Sequence, residues 1–320
     1  MNSISYKDII FSELGFGCSR LTHVTSPKMA NSLLNSVFDN GVNYFDTARL
    51  YGLGQSEHYL GKFIKDKRDK VVITTKLGLF PPYIPFRNLK MINLFRDGVK
   101  FLKSSIVKSS PSSSQNPNIS LPVNNISEAH MRTSLHESLK ELQTDYVDFL
   151  LLHEFSLELI NQAEIINLLE KFKKEGKIRH YGIGTHYSRL PERLSDLPKS
   201  YAMIQGESSL LEEGLLIKGR DERLLSIHSI FRDFKLIKTL IENNESIKGT
   251  IQDITNLDLQ NDSNLINILI AAIKKHPSKK LTLFTTKDKE NAIRNINAWS
   301  TPSYITHQQL NQIKSIITNR

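Results

Sequence analysis

Cysteine is almost missing from this chain: Cys18 is the one thiol in 320 residues, so no internal disulfide can form and a reducing cytoplasm is the expected compartment. Long apolar runs are missing too. None approaches the roughly 18–20 residues of a membrane span, so no membrane partner is expected. The opening MNSISYKDIIFSELG has no basic region followed by an apolar stretch, and no secretory signal is expected. Acidic residues are the minority charge, 33 against 42 Lys and Arg, for a formal net charge of +9. Such an excess fits nucleic acid, an anionic cofactor, or solubility alone. The lysines are scattered (Lys171, Lys173, Lys174; Lys274, Lys275; Lys279, Lys280) and no aromatics interleave them, so they read as solvated helix faces and no nucleic-acid partner is expected. With 39% hydrophobic and 23% charged residues the composition is that of a soluble globular protein. Oligomeric state is not readable from it.

What is present is alternation. Short apolar runs at 14–18 (LGFGC), 42–46 (VNYFD), 71–76 (VVITTK), 146–153 (YVDFLLLH), 178–184 (IRHYGIG), 201–206 (YAMIQG), 224–231 (LLSIHSIF) and 281–286 (LTLFTT) have strand length. Segments of helical spacing lie between them. SPKMANSLLNSVFDNG offers Ser26 as cap, Pro27 in the first turn and Gly41 as stop. SEAHMRTSLHESLKELQ starts on a Ser127 cap and puts Leu135, Leu139 and Leu142 on one face, and LELINQAEIINLLEKFKKEG is expected as one helix closed by Gly176. Eight near-continuous apolar strands alternating with helices predict an α/β fold, a (β/α)₈ TIM barrel formed by residues 1–320 as a single domain. An open doubly wound sheet is the runner-up, weakened because no GxGxxG follows LGFGC. Residues 77–126, after the third strand, form a Ser/Pro-rich insertion far longer than the roughly 12–15 residues beyond which structureless loops are uncommon; a lid or a mobile tether would have this composition. HQQLNQIKSII after Trp299 predicts an added C-terminal helix.

In a β/α barrel the chemistry sits at the C-terminal ends of the strands. Three strands here finish on ionisable residues: Asp46, Lys76 and His153. Any one of them could simply mark where a strand meets a polar loop, but the barrel aims all three at one mouth. Tyr51, five positions after Asp46, adds a phenol. An ammonium at Lys76 would lower the pKa of that phenol, Asp46 would hold the lysine charged, and neutral His153 would orient a carbonyl oxygen. Such a group can protonate an alkoxide as hydride arrives, and since no side chain supplies hydride, a nicotinamide cofactor is implied. No metal is called for.

The stretches NYFDTARLYG, VVITTKLG, SLKELQTDYVDFLLLH and GKIRHYGIGTH resemble the aldo-keto reductase family, NAD(P)H-dependent oxidoreductases on a (β/α)₈ barrel, over about residues 12–297 apart from the insertion. The resemblance implies catalytic roles for Asp46, Tyr51, Lys76 and His153. It places Gly17 and Cys18 under the nicotinamide ribose and gives the carboxamide to Thr185 and Gln205, although the family usually has Ser-Asn where this chain has Gly184-Thr185. His228 stands where a tyrosine often stacks on the nicotinamide, with Ser229 and Phe231 in the same HSIF segment; a packed rim residue is the plainer alternative for that histidine. LFTTKDKENAIRNINAW departs most from the family pattern. Thr285, Thr286 and Lys287 open it, Asn291 takes the usual Arg position, and Arg294-Asn295 replaces Glu-Asn. Thr286, Lys287 and the helix N-terminus are the expected phosphate ligands, and NADPH is the expected cofactor with NADH as the alternative.

The function these residues imply is reduction of an aldehyde or ketone, a small-molecule carbonyl. The IQGESSLL stretch and the SIF segment are similar to reductases of bacterial surface-sugar pathways, which implies a sugar-linked carbonyl. Two other readings stay open: a catalytically weak nucleotide-binding barrel acting as a regulatory or sensor subunit, and a barrel aldolase or isomerase using Lys76 as a Schiff-base nucleophile. The last leaves the Asp46–Tyr51 spacing without a role.

Overall fold

The computed structural model describes residues 1–79, 89–94, 127–218 and 221–318. It opens with a feature that the sequence reading did not include: an antiparallel hairpin of β1 (Ser3–Tyr6) and β2 (Ile9–Ser12), turned through Lys7 at φ +52°. Eight parallel strands follow: β3 (Leu14–Gly17), β4 (Tyr44–Asp46), β5 (Val72–Leu77), β6 (Val147–His153), β7 (Ile178–Gly184), β8 (Met203–Glu207), β9 (Leu224–His228) and β10 (Lys280–Phe284). They pair in sequence order, and β10 closes onto β3 to complete the expected TIM barrel.

Alternation along each strand decides what faces inward. Val72, Phe149, Leu151, Met203, Leu224, Leu281 and Leu283 form one apolar cluster with Tyr44, and the hairpin contributes Ile4, Ile9 and Phe11 to it. The hairpin therefore plugs the N-terminal end of the barrel. Phe11 sits 5.2 Å from the Tyr44 ring, Tyr6 Oη donates to the Ala202 carbonyl at 2.6 Å, and Asp8 at the turn accepts from Arg179 at 2.7 Å. A second, larger cluster fills the space between strands and helices.

The helices start where their caps predict. Ser26 Oγ accepts from Met29 N ahead of Pro27–Asp39, and Ser127 Oγ accepts from His130 N ahead of Glu128–Leu142. The segment expected as one helix over LELINQAEIINLLEKFKK is two, Leu157–Ile160 and Ala163–Lys174. Asn161 turns its side chain back onto the Leu157 carbonyl at 2.9 Å, and Gln162 is extended at ψ 128°, so the chain breaks between them. Two helices after β9, Phe234–Glu242 and Glu245–Thr255, add to the repeat and pack with Asp262–Lys274 and with the added C-terminal helix His307–Thr318 in a satellite core. Of the insertion, a helical segment at 89–94 is described, with Leu89 and Ile92 buried in the main core; the stretch read as lid or tether lies outside the described residues.

Phe11→Ala removes the largest fully buried side chain of the plug. We expect it to cost about 3–5 kcal/mol of unfolding free energy, the range for leaving a cavity of that size, read as a lower urea midpoint at unchanged slope.

Candidate active site

The mouth of the barrel is built by the last inward residues of its strands. Asp46 ends β4 and Lys76 stands one residue before the end of β5. Lys76 Nζ donates to Asp46 Oδ1 at 2.5 Å, to the Thr47 carbonyl at 2.9 Å and to Tyr51 Oη at 3.3 Å, so all three ammonium protons have acceptors. Both charged groups are buried, at 2% and 3% exposure. Gln205 Nε2 takes the other carboxylate oxygen, Asp46 Oδ2, at 2.8 Å. His153 closes β6, and its ring meets the Tyr51 ring edge-on with centroids 6.1 Å apart.

The loop that carries Tyr51 is set from beneath. Arg49 pairs with buried Glu57 at 3.1 Å and with Glu137 at 2.9 Å, and Thr75 donates to Glu57 at 2.6 Å. Gly52 turns left-handed at φ +61° against the Thr22 side chain, where any Cβ would collide. That is why YG follows DTARL.

Burial decides the electrostatics. It raises the Tyr51 phenol above its ordinary range, against the pull of Lys76, so the lowered pKa expected from the sequence is not the net result. Burial also works against the Lys76 ammonium, but Asp46 and Tyr51 more than offset it and its pKa rises. His153 is held down to about 3, first by burial and then by Lys76 and His228. His228 is held to about 4, again first by burial. Both imidazoles are therefore neutral at neutral pH.

A cleft of about 360 Å³ opens above this floor. Gly17, Asp46, Tyr51, Gln205, His228, Ser229, Phe231 and Thr285 line it, as do Ser19, Arg20 and Arg232, which the sequence reading did not single out. Ser229 adopts φ +65° and bonds His228 Nδ1 at 2.8 Å. The remaining expected residues lie elsewhere. Cys18 turns its thiol wholly into the core. Thr185 donates to Glu154 at 3.1 Å, and Glu154 also takes Arg189 at 2.8 Å. Thr286 is buried and accepts from Asp288 N at 3.1 Å; Lys287 is exposed. Asp288 Oδ1 caps Asn291 N at 2.7 Å ahead of the last barrel helix, Lys289–Ser300, so the chain's own carboxylate occupies that helix N-terminus. Asn295, four residues on, is buried with an Oδ1 that has no partner among the described residues.

Comparison with known proteins decides the family. The family model described as "Aldo/keto reductase family" matches residues 13–225, about two thirds of the chain. The chain belongs to the aldo/keto reductase family. The uncharacterized oxidoreductase YqkF of Bacillus subtilis is 32% identical over 178 residues, which are 56% of this chain and 46% of that protein. D-threo-aldose 1-dehydrogenase of a Pseudomonas species is 30% identical over 208 residues, 62% of this chain and 58% of that protein. The chain thus spans about half the length of the curated relatives it matches. An aldo-keto reductase from Klebsiella pneumoniae, solved in complex with NADPH, shares the barrel with TM-score 0.64 at 17% identity, covering 99% of this chain and 96% of that one. At that identity the likeness is one of fold.

Neutral His153 and His228 give a pH prediction. Each is neutral in the folded chain far below the unfolded value near 6.5, so below that value the unfolded chain binds the extra protons. Stability is full above about pH 6.5 and is lost as pH falls toward about 4 and then 3. By NMR, the ring signals assigned with His153→Gln and His228→Gln should stay flat from pH 8 to about 5.

Proposed function

We propose that this aldo/keto reductase family member reduces an aldehyde or ketone with NAD(P)H, and that Tyr51 gives the proton. The observation that carries the reading is the Tyr51 hydroxyl on the cleft floor, 3.3 Å from a buried, fully paired Lys76 ammonium and edge-on to a neutral imidazole. The fit of a dinucleotide is supported by the cleft itself, by the unpartnered buried Asn295 Oδ1, which can accept from an amino group, and by Arg20 and Arg232 at the cleft for its phosphates. Gly17, Gln205, His228, Ser229, Phe231 and Thr285 would hold the nicotinamide half. NADPH is the preferred form, with Lys287 exposed at the start of the last barrel helix as its added cation.

When bound, the reduced cofactor supplies the hydride. The chain supplies the rest. Its raised pKa keeps the proton on Tyr51 at neutral pH until negative charge develops on the carbonyl oxygen, and the Lys76 ammonium stabilises the phenolate left behind. Asp46 keeps Lys76 charged in a buried site. His153 has an N–H to donate to the carbonyl oxygen, and it stays neutral so that no second cation competes with Lys76. A sugar-linked carbonyl is the substrate class we favour. The support is the sequence likeness to D-threo-aldose 1-dehydrogenase and the similarity of IQGESSLL and SIF to surface-sugar reductases.

Fluorescence titration with NADPH and with NADH tests the cofactor. Saturable binding supports a working nicotinamide site, and its absence at high micromolar dinucleotide would count against the reductase, in line with the committed Thr185 hydroxyl and the self-capped helix. Tyr51→Phe should bind cofactor within about threefold of the parent and lose on the order of 10²–10⁴ in turnover of a good carbonyl. Parent-like turnover in that variant would remove Tyr51 from the mechanism. Lys76→Met should lose turnover likewise.

A further inference from the structure

Asp46 needs more than Lys76 to stand where it does. Lys76 takes Oδ1, and the second oxygen belongs to Gln205, whose side-chain nitrogen donates to Asp46 Oδ2 at 2.8 Å and to Ser226 Oγ at 3.2 Å. The barrel makes this arrangement. Gln205 on β8 pairs in register with Ser226 on β9, both are inward positions, and they are 3% and 0% exposed. The direction of the amide follows from chemistry: turned over, it would set a carbonyl oxygen against a carboxylate, two acceptors with no proton between them. Both amide protons are thus committed to the protein. The amide oxygen accepts nothing from the described residues, so Gln205 is held entirely through its nitrogen.

We propose that Gln205, braced by Ser226, is a positioning residue for proton transfer: it fixes the Asp46 carboxylate so that Lys76 is aimed at the Tyr51 hydroxyl. The proposal rests on the reading of Tyr51 as proton donor. It differs from the family-derived expectation that Gln205 serves as a carboxamide ligand, because it runs through Asp46 and includes Ser226, which does not line the cleft. Without the amide donor, Asp46 loses one of its two anchors and its charge is less dispersed. Lys76 is then drawn from Tyr51, and the phenolate loses stabilisation.

The test is the pH profile of carbonyl reduction in Gln205→Met, which keeps the volume and removes the donor, and in Ser226→Ala, which removes only the hydroxyl oxygen that braces it. For Gln205→Met we expect turnover to fall about tenfold and the basic limb to move up by about 0.5–1 pH unit; Ser226→Ala should move both in the same direction by less. A basic limb and turnover at parent values in both variants would overturn the proposal, even if cofactor binding weakened, since that would leave Gln205 a ligand only. A second readout does not depend on turnover. The alkaline absorbance titration of Tyr51 in cofactor-free protein, taken as parent minus Tyr51→Phe and repeated in the Gln205→Met and Ser226→Ala backgrounds, should shift upward. No shift there counts against Gln205 even if the parent reduces nothing, whereas failure of the parent to bind dinucleotide counts against the reductase reading alone.

Discussion

Everything at the mouth of this barrel depends on one buried ion pair. Taking an ammonium and a carboxylate out of water costs on the order of several kcal/mol per ion, and the attraction between them recovers that only when the remaining protons and lone pairs are also met. Here they are met by four different strands or their loops: β4 and the turn after it give Asp46, Thr47 and Tyr51, β5 gives Lys76, β8 gives Gln205 and β9 gives Ser226. A slip of one residue in any of these strands would turn its inward side chains outward. The closed sheet and the ion pair therefore specify each other.

The same burial explains why two imidazoles and a phenol all resist ionisation here. A site open to water would let His153 and His228 take up protons near their ordinary values. Walled by the strand ends and facing the Lys76 ammonium, they stay neutral. The barrel thus separates roles by environment, with a buried, paired ammonium beside two imidazoles and a phenol that stay neutral.

Much of this was legible in the residues. Strand ends at Asp46, Lys76 and His153 showed where the barrel would aim its chemistry, because inward alternation and strand length are local properties. The caps at Ser26 and Ser127 were legible for the same reason. What escaped depended on closure or on burial. Gln205 and Asp46 are 159 residues apart, and only pairing of all eight strands brings them together. Ser226 sits two residues before His228 on the same inward face of β9, so period-two alternation does carry its signal. The hairpin SISYKDIIFS has strands of four residues and no glycine at its turn, too little pattern to stand out from an irregular leader. The direction of the Tyr51 shift needed the extent of burial, which no spacing in the sequence reports.

The hairpin's consequence reaches the opposite end of the molecule. By packing Ile4, Ile9 and Phe11 against strand side chains that already fill the barrel's lower layer, it caps that layer and keeps water off its underside. The hairpin touches none of the groups at the mouth. It nevertheless helps to keep the ground beneath Asp46 and Lys76 dry, and a dry foundation is what makes their pairing strong.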